Sequence, residues 1–298
     1  MISVALTDGL ANRMFQYAFG VGLANRLHRM VHFDQCHYCP NKDATFEDVD
    51  LRDAFPNIHL PQTPQNRFAL TFRNDILGLV YLRASMSKLG IERYVYEKTS
   101  QYDENIYNRC TWNCQLVGHW QSEKYFNECR KQLLKEFTFL PMTEERNLLV
   151  AELMAKTHSV AIHVRKGKDY MALPTEKSLC DMGYYRRAIN YMREHVDNPR
   201  FFVFTDNKDW VARHFTNIDY TLIDWNPVVG RFNFRDMQLM SLAKHQIVAN
   251  STYSWWGGYL NRNPQKIVIA PDPWWTLEWY RDTDIVPDEW VKLNSLGV

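Results

Sequence analysis

The chain has 298 residues, enough for two domains of about 150 residues each. A formal net charge of +1 excludes a global field that would steer it to nucleic acid or an acidic membrane, so any recognition of anions must be local. Six cysteines in a chain of this length form no disulfide framework and fit a reduced, cytoplasmic protein. Ten tryptophans are many; aromatic faces suit sugar rings or bases, and they equally suit an aromatic core.

Ile2–Leu6 reads as a strand and follows Met1 at once, with no charged and apolar leader. No run of about 18 apolar residues occurs, so neither a signal peptide nor a membrane span is expected. Thr7–Asn12 is the loop after that strand. Phe15, Ala18, Phe19, Gly22, Leu23 and Leu27 then fall on one helical stripe, with Asn12 as the expected N-cap. Val31–Asp34 follows as the next strand and completes a βαβ unit. Such a loop either packs and nothing more, or approaches a ligand through Gly9 with Asn12, Arg13 and Gln16 as polar hands.

Residues 37–65 carry Pro40, Pro56, Pro61 and Pro64 and read as loops and short helices. Leu70–Leu89 has helical periodicity, and Tyr94–Glu97 and Gln115–His119 read as short strands. Ser122 is the expected cap of a helix presenting Tyr125, Phe126, Cys129, Leu133 and Phe137 on one face. His119 and Gln121, at a strand end, are placed either to touch a sugar or to make structural hydrogen bonds. Cys36-x-x-Cys39 and Cys110-x3-Cys114 have the number of ligands that a zinc site needs, but nothing around them supports one, and no metal is expected. A helix over Thr143–Lys156 holds the expected domain boundary, giving domains 1–150 and 151–298.

The second half alternates regularly. Strands at Ser159–Val164, Phe201–Thr205, Tyr220–Ile223, Gln246–Ala249 and Ile267–Ala270 are separated by helical segments, which means βαβ units and a parallel, Rossmann-like sheet. Neither G-x-G-x-x-G nor a P-loop is present. Three strand ends supply the candidate site. Ser159–Tyr170, SVAIHVRKGKDY, delivers His163, Arg165, Lys166, Lys168 and Asp169 to a basic loop, which reads as a phosphate pocket or as an ordinary solvated turn. Asp206 could accept from N1–H and N2–H of a guanine, or cap the next helix. Asn250, Ser251, Thr252 and Ser254 pack amide, hydroxyls and backbone N–H groups at a helix start, a ready anion site. Asp236 on the preceding helix is a supporting group or a surface charge. Trp274-Trp275 and Trp279-Tyr280 suit stacking on sugars or core packing. Asp282-Thr283-Asp284 has the spacing of a metal-nucleotide motif but lies in a polar C-terminal tail and reads as a solvated turn.

Several blocks together resemble the bacterial α-1,2-fucosyltransferases of glycosyltransferase family 11. They are Gly9-Leu10-x-Asn12-x-Met14-Phe15-Gln16-Tyr17-Ala18, the run Gly118–Phe126 (GHWQSEKYF), His163–Tyr170, Met240–His245 (MSLAKH), Asn250–Trp256 and Val268–Pro271. They span nearly the whole chain in the family's order. Two departures stand out: the family's usual GGLGNQ is Asp8–Arg13, DGLANR, here, and HxRRGDY carries Lys166 and an extra Lys168.

The resemblance implies an α/β, GT-B-like fold of two Rossmann-like domains whose parallel sheets face each other across a cleft. The N-terminal domain would serve the acceptor and the C-terminal domain GDP-L-fucose. It implies inverting transfer of fucose to the 2-hydroxyl of a galactoside, with no metal and no cofactor beyond the donor. His163, Arg165, Lys166, Asp206, Asn250, Ser251, Thr252 and Ser254 would bind the donor. Gly9, Asn12, Arg13, Gln16, His119 and Trp255 would contact acceptor or fucose. Arg165 would stabilise the leaving phosphate and His163 would orient the nucleotide; either Asp169, with Asp8 second, would serve as base, or leaving-group stabilisation would suffice without a dedicated base. A galactose-containing or lipid-linked glycan acceptor is expected, with no nucleic acid partner and peripheral membrane contact at most. The alternatives are a GDP-sugar transferase of another linkage and a carbohydrate-binding protein without catalysis.

Overall fold

The computed structural model describes residues 1–34, 50–61, 93–110, 113–172, 179–277 and 283–296. The chain forms two compact units, Met1–Ala44 with Asn57–Thr138, and Thr45–Pro56 with Phe139–Val298. The division falls at Phe139 rather than at residue 150. The readings of Leu70–Leu89, of Cys36 and Cys39, and of Trp279-Tyr280 and Asp282 lie outside the described residues, as does most of the expected loop region 37–65.

The first unit is built on four parallel strands, β1 (Ile2–Ala5), β2 (Val31–Asp34), β3 (Arg93–Tyr96) and β4 (Cys114–Val117), in the order β2-β1-β4-β3. Helix α1 (Leu10–Leu27) crosses from β1 to β2 and is buried on most of its circumference, through Met14, Phe15, Tyr17, Ala18, Phe19 and Leu23. Its N-cap is Gly9, whose carbonyl accepts from the amides of Asn12 and Arg13. Asn12 is therefore a first-turn residue, not the cap, and its side-chain oxygen accepts from Gln121 Nε2 at 3.0 Å. Phe19 stacks on Trp120 with centroids 4.3 Å apart, and Tyr17 stacks on Phe33 at 5.1 Å.

The expected helix after Ser122 begins instead as two short 3-10 turns, Glu123–Tyr125 and Asn127–Cys129, before α2 (Arg130–Glu136). Tyr125 is drawn against α1, its ring edge-on to Phe19 and Trp120 and its carbonyl over the bare face of Gly22. This close approach interrupts the α-helical ladder that the apolar spacing suggests.

The second unit carries six parallel strands, β5 (Ser159–Val164), β6 (Arg200–Thr205), β7 (Tyr220–Ile223), β8 (His245–Ile247), β9 (Val268–Asp272) and β10 (Val291–Asn294). The last of these was not expected. Val291 and Leu293 alternate with exposed Lys292 and Asn294, so a half-solvated edge strand reads in the sequence as a polar tail. The crossing helices are α4 (Met182–His195), α5 (Lys208–His214), α6 (Arg235–Leu242) and α7 (Thr252–Leu260); α3 (Glu145–Lys156) precedes β5 and packs on α6. Asp181 caps α4 through Tyr184 N at 3.1 Å, and Asn207 caps α5 through Trp210 N at 3.0 Å. Val160, Ile162 and Val164 face a core with Tyr184, Tyr185, Ile189 and Met192 of α4.

The strand order is β10-β9-β8-β5-β6-β7. From β5 the chain winds outward through β6 and β7, then returns to the other side of β5 with β8. The direction therefore reverses between β5 and β8. In open parallel sheets, ligands bind in the crevice beyond the strand ends at that reversal.

Residues 139–144 are held to this unit by Arg235, which is 2% exposed. Its guanidinium donates to Glu144 Oε1, to the carbonyls of Leu140 and Pro141, and to Gln238 Oε1. Leu140 N in turn donates to Ala54 O at 2.7 Å, and Phe55 lies against Phe139. Among the described residues no helix is long and apolar enough to cross a membrane.

Gly22→Ala places a methyl group against the Tyr125 carbonyl oxygen, a backbone atom that cannot turn aside. We expect a loss of about 1–3 kcal/mol in urea unfolding, typical of an overpacked core. A variant as stable as wild type would contradict the packing of α1 on the 3-10 turns.

Candidate active site

Near the end of β5 stands His163, whose backbone oxygen accepts from Tyr185 Oη at 2.9 Å. Its neighbours Ile162 and Val164 point to the α4 core, so its ring points to the other face of the sheet, where it meets Tyr253 of α7 with centroids 5.9 Å apart. Burial, reinforced by the nearby Arg165 charge, pushes its pKa down to about 3, so the imidazole is neutral at physiological pH. Its Nδ1 is buried without a hydrogen-bond partner.

Arg165 is half-buried, and its Nη1 lies 3.1 Å from Asp206 Oδ2, at the end of the neighbouring strand β6. Asp206 also accepts from Lys166 N at 2.7 Å through Oδ1. Both carboxylate oxygens therefore hold the β5 loop, which departs from the expectations of a guanine reader or a helix cap. Lys166 departs too. Its ammonium turns inward, donates to Leu179 O at 2.7 Å and sits over the rings of Tyr170 and Trp210. Burial holds its pKa below the ordinary lysine value. Asn207 completes the brace by donating to Lys166 O at 2.6 Å.

Across the reversal, Asn250 follows β8 and is 4% exposed. Its Oδ1 accepts from Tyr170 Oη at 2.6 Å and from the Cys180 thiol at 3.7 Å. Nδ2 is then a buried donor with no partner. Ser251 is the N-cap residue of α7, and its own side chain makes no capping bond. The first-turn amides of a helix lack internal acceptors, so the start of α7 offers N–H groups and the positive dipole end. Ser254 spends its hydroxyl on the carbonyls of Ala249 and Ser251. Trp255 is wholly buried, donates to Ile285 O at 2.6 Å and stacks on Tyr259, so the expected sugar contact is instead a core residue.

Asp236, in the first turn of α6, stands beside Tyr253. The Tyr253 hydroxyl accepts from Met237 N at 2.9 Å and donates to Asn233 O at 2.5 Å. Asp236 Oδ1 accepts from Asn226 Nδ2 at 2.7 Å, yet burial still raises the carboxyl to about 6. Tyr170 and Tyr253 were not placed in the site by sequence, and Asp236 was read as a supporting group or a surface charge. For Tyr170 the signal was its position at the end of the His163–Tyr170 block; for Tyr253 it was a second hydroxyl within the Asn250–Ser254 turn. Asp169 lies in the single helical turn Lys168–Met171, and its side chain is outside the described residues.

The first unit has its own cluster at the C-terminal ends of β1, β3 and β4. His119 Nε2 lies 2.9 Å from Asp8 Oδ2. Glu97 accepts from the amides of His119 at 2.7 Å and Trp120 at 3.0 Å. Asp8 and Trp120 both adopt left-handed backbone, with φ of 63° and 56°. Gln16, expected as a polar hand, is fully buried and braces the loop, binding Thr7 N, Thr7 Oγ1 and Gly118 O. Arg13 sits in the first turn of α1. Cys110 and Cys114 are buried thiols. Among the described residues, no group of three or more His, Cys, Asp or Glu side chains is placed to hold a metal ion.

The family described as Glycosyl transferase family 11 matches residues 1–294. An α-1,2-colitosyltransferase of Escherichia coli is 31% identical over 299 residues, covering 99% of both chains. The O-antigen biosynthesis glycosyltransferase WbnK of E. coli is 25% identical, over 97% of this chain and 99% of that one. Human galactoside α-(1,2)-fucosyltransferase 1 is 23% identical over 60% of this chain and 52% of its own. Among solved structures, NodZ α-1,6-fucosyltransferase aligns with a TM-score of 0.48 at 13% identity, over 90% of this chain and 94% of that one.

The raised Asp236 carboxyl carries a stability prediction. Its folded value, about 6, lies above the ordinary 3.8, so folding opposes ionisation. That penalty is absent below pH 4 and complete above pH 6. Asp236→Asn should therefore gain about 1–2 kcal/mol over wild type at pH 8, after allowance for solvent at a half-buried site, and nothing at pH 3.5. An equal gain at both pH values, in urea unfolding, would contradict the assignment.

Proposed function

The chain belongs to glycosyl transferase family 11, and on that premise we propose that it transfers L-fucose from GDP-L-fucose to the 2-hydroxyl of a galactoside, with inversion and without a metal. It is a glycosyltransferase, as are the relatives that cover its full length, which sets aside a binding protein without catalysis. Both parallel α/β units that a GT-B enzyme requires are present.

The observation that carries the donor reading is the pair of buried, unpartnered polar atoms at the β5/β8 reversal, His163 Nδ1 and Asn250 Nδ2, beside Arg165 and the start of α7. Leaving a buried polar atom unpaired costs about 1–3 kcal/mol, which a bound ligand repays. A neutral imidazole, an amide donor, a guanidinium and a helix N-terminus suit a nucleoside diphosphate. As the C1–O bond breaks, negative charge grows on the β-phosphate of GDP. Arg165, oriented by Asp206, and the first amides of α7 stabilise that charge. Because Asp206 is committed to the β5 loop, we assign recognition of guanine N1–H and N2–H to Asp236, the half-buried carboxylate beside Tyr253. Lys166 acts from behind, by fixing the loop to residue 179.

A second reading keeps the linkage and changes the sugar. The full-length relative at 31% identity is named for colitosyl transfer, so a colitosyl donor competes with the fucosyl one. Parallel assays with GDP-fucose and GDP-colitose separate the two.

GDP should raise the Tm of the wild type while free L-fucose does not, because only a ligand that binds the folded state shifts it. Arg165→Ala should lose most of that shift and lower transfer by about 100-fold or more. EDTA should change neither. Full transfer by Arg165→Ala, or its loss on adding EDTA, would contradict the reading.

A further inference from the structure

We propose that the hydrogen-bonded chain Trp225–Asn147–Asn226 aims Asp236 at a guanine base and makes the donor site selective for guanine over other purines. The proposal rests on the reading of Asp236 as the guanine-binding carboxylate and adds the residues that hold it to that task.

All of these residues belong to the second unit. Helix α6 is the crossover from β7 to β8, so its first turn, with Asp236, starts at the strand-end side of the sheet where the reversal lies. Tyr253 ties that turn to the reversal. Its hydroxyl bridges Asn233 O and Met237 N, on either side of Asp236, and its ring lies against His163.

The first member of the chain sets the direction of every bond in it. An indole N–H only donates, so Asn147 must face Trp225 Nε1 with its Oδ1, at 2.7 Å. Asn147 Nδ2 then donates to Asn226 Oδ1 at 2.8 Å, and Asn226 Nδ2 donates to Asp236 Oδ1 at 2.7 Å. Turning either amide over would set donor against donor. The anchor is firm as well. Asn147 on α3 is fully buried, and the Arg146 guanidinium lies 4.0 Å from the centroid of the Trp225 ring. A buried polar chain whose members have their partners holds a single arrangement.

That arrangement decides what the carboxyl can read. Oδ1 is kept as an acceptor by Asn226, and Oδ2 is left for a ligand. The bond from Asn226 also opposes the rise that burial imposes on the carboxyl, which favours the ionised form. An ionised carboxylate only accepts, and guanine presents N1–H beside its 2-amino group. Adenine presents N6–H beside a bare N1, whose lone pair meets the carboxylate unfavourably. Asn233 adds a further acceptor three residues earlier, because its Oδ1 is buried without a partner. The two carboxylate oxygens and this amide oxygen match the three hydrogens on N1 and N2 of guanine.

The test measures Kd by calorimetry for GDP, IDP and ADP with wild type, Asn226→Ala, Trp225→Phe and Asp236→Asn. Wild type should bind GDP about 10-fold more tightly than IDP, which lacks the 2-amino group, and ADP more weakly still. Asn226→Ala should weaken GDP about 10-fold and leave ADP within about threefold of its wild-type value, since the phosphate contacts stay. Trp225→Phe keeps a ring under Arg146 and removes only the donor that orients Asn147. It should weaken GDP about threefold, again with ADP unchanged. Asp236→Asn must give its one oxygen to Asn226 and turn an amide N–H to the base, so it should lose the preference for GDP. If it does, while Asn226→Ala keeps wild-type selectivity or either chain variant weakens GDP and ADP by equal factors, the chain is merely structural and the proposal alone is overturned. Retained preference for GDP in Asp236→Asn, or no binding of GDP by wild type, overturns the guanine reading and the proposal with it.

Discussion

The constraint on which the second unit depends is the reversal of winding between β5 and β8. Neighbouring parallel strands must be joined by crossovers that lead away over the sheet, so at a reversal no connection covers the space beyond the strand ends. β5 is buried along all six of its residues, which makes the position of its last side chains a consequence of the core. His163 is therefore aimed by packing, and Arg165, just beyond the strand, by its ion pair with Asp206. Asp206 and Asn207, at the end of the adjacent strand, then fasten the loop backbone.

The same place is expensive. It holds a neutralised histidine, an unpaired amide donor, an inward lysine and a carboxyl lifted to about 6. Groups perturbed by burial and gathered at one end of a sheet mark functional sites more often than structural ones. The rest of the unit offsets them with a dense aromatic core. Arg235 is the contrasting case, a buried cation whose donors meet a carboxylate, two carbonyls and an amide. It fastens the connecting residues 139–144 to α6 and makes no exposed site.

Much of this was legible in the sequence. The alternation of strand and helix gives both parallel sheets, because period-two apolar runs and helical stripes are set by backbone geometry. The strand ends carrying His163, Arg165, Asp206 and Asn250 were found for the same reason. What sequence did not give is the direction in which a polar side chain turns. Lys166, Gln16 and Trp255 belong to conspicuous motifs, yet each points inward to satisfy a carbonyl, a loop or the core. The N-cap slipped from Asn12 to Gly9 because the backbone carbonyl of Gly9 already closes the first turn. The edge strand β10 escaped notice because one of its faces is solvated.

The central claim, that a nucleoside diphosphate binds at the β5/β8 reversal, is tested most directly by hydrogen exchange of the intact chain with and without GDP. The account predicts added protection concentrated in residues 163–168, 205–207 and 249–256, where the β5 loop, the Asp206 brace and the start of α7 meet. Protection confined to residues 6–16 and 97–121 of the first unit, with those segments unchanged, would contradict it.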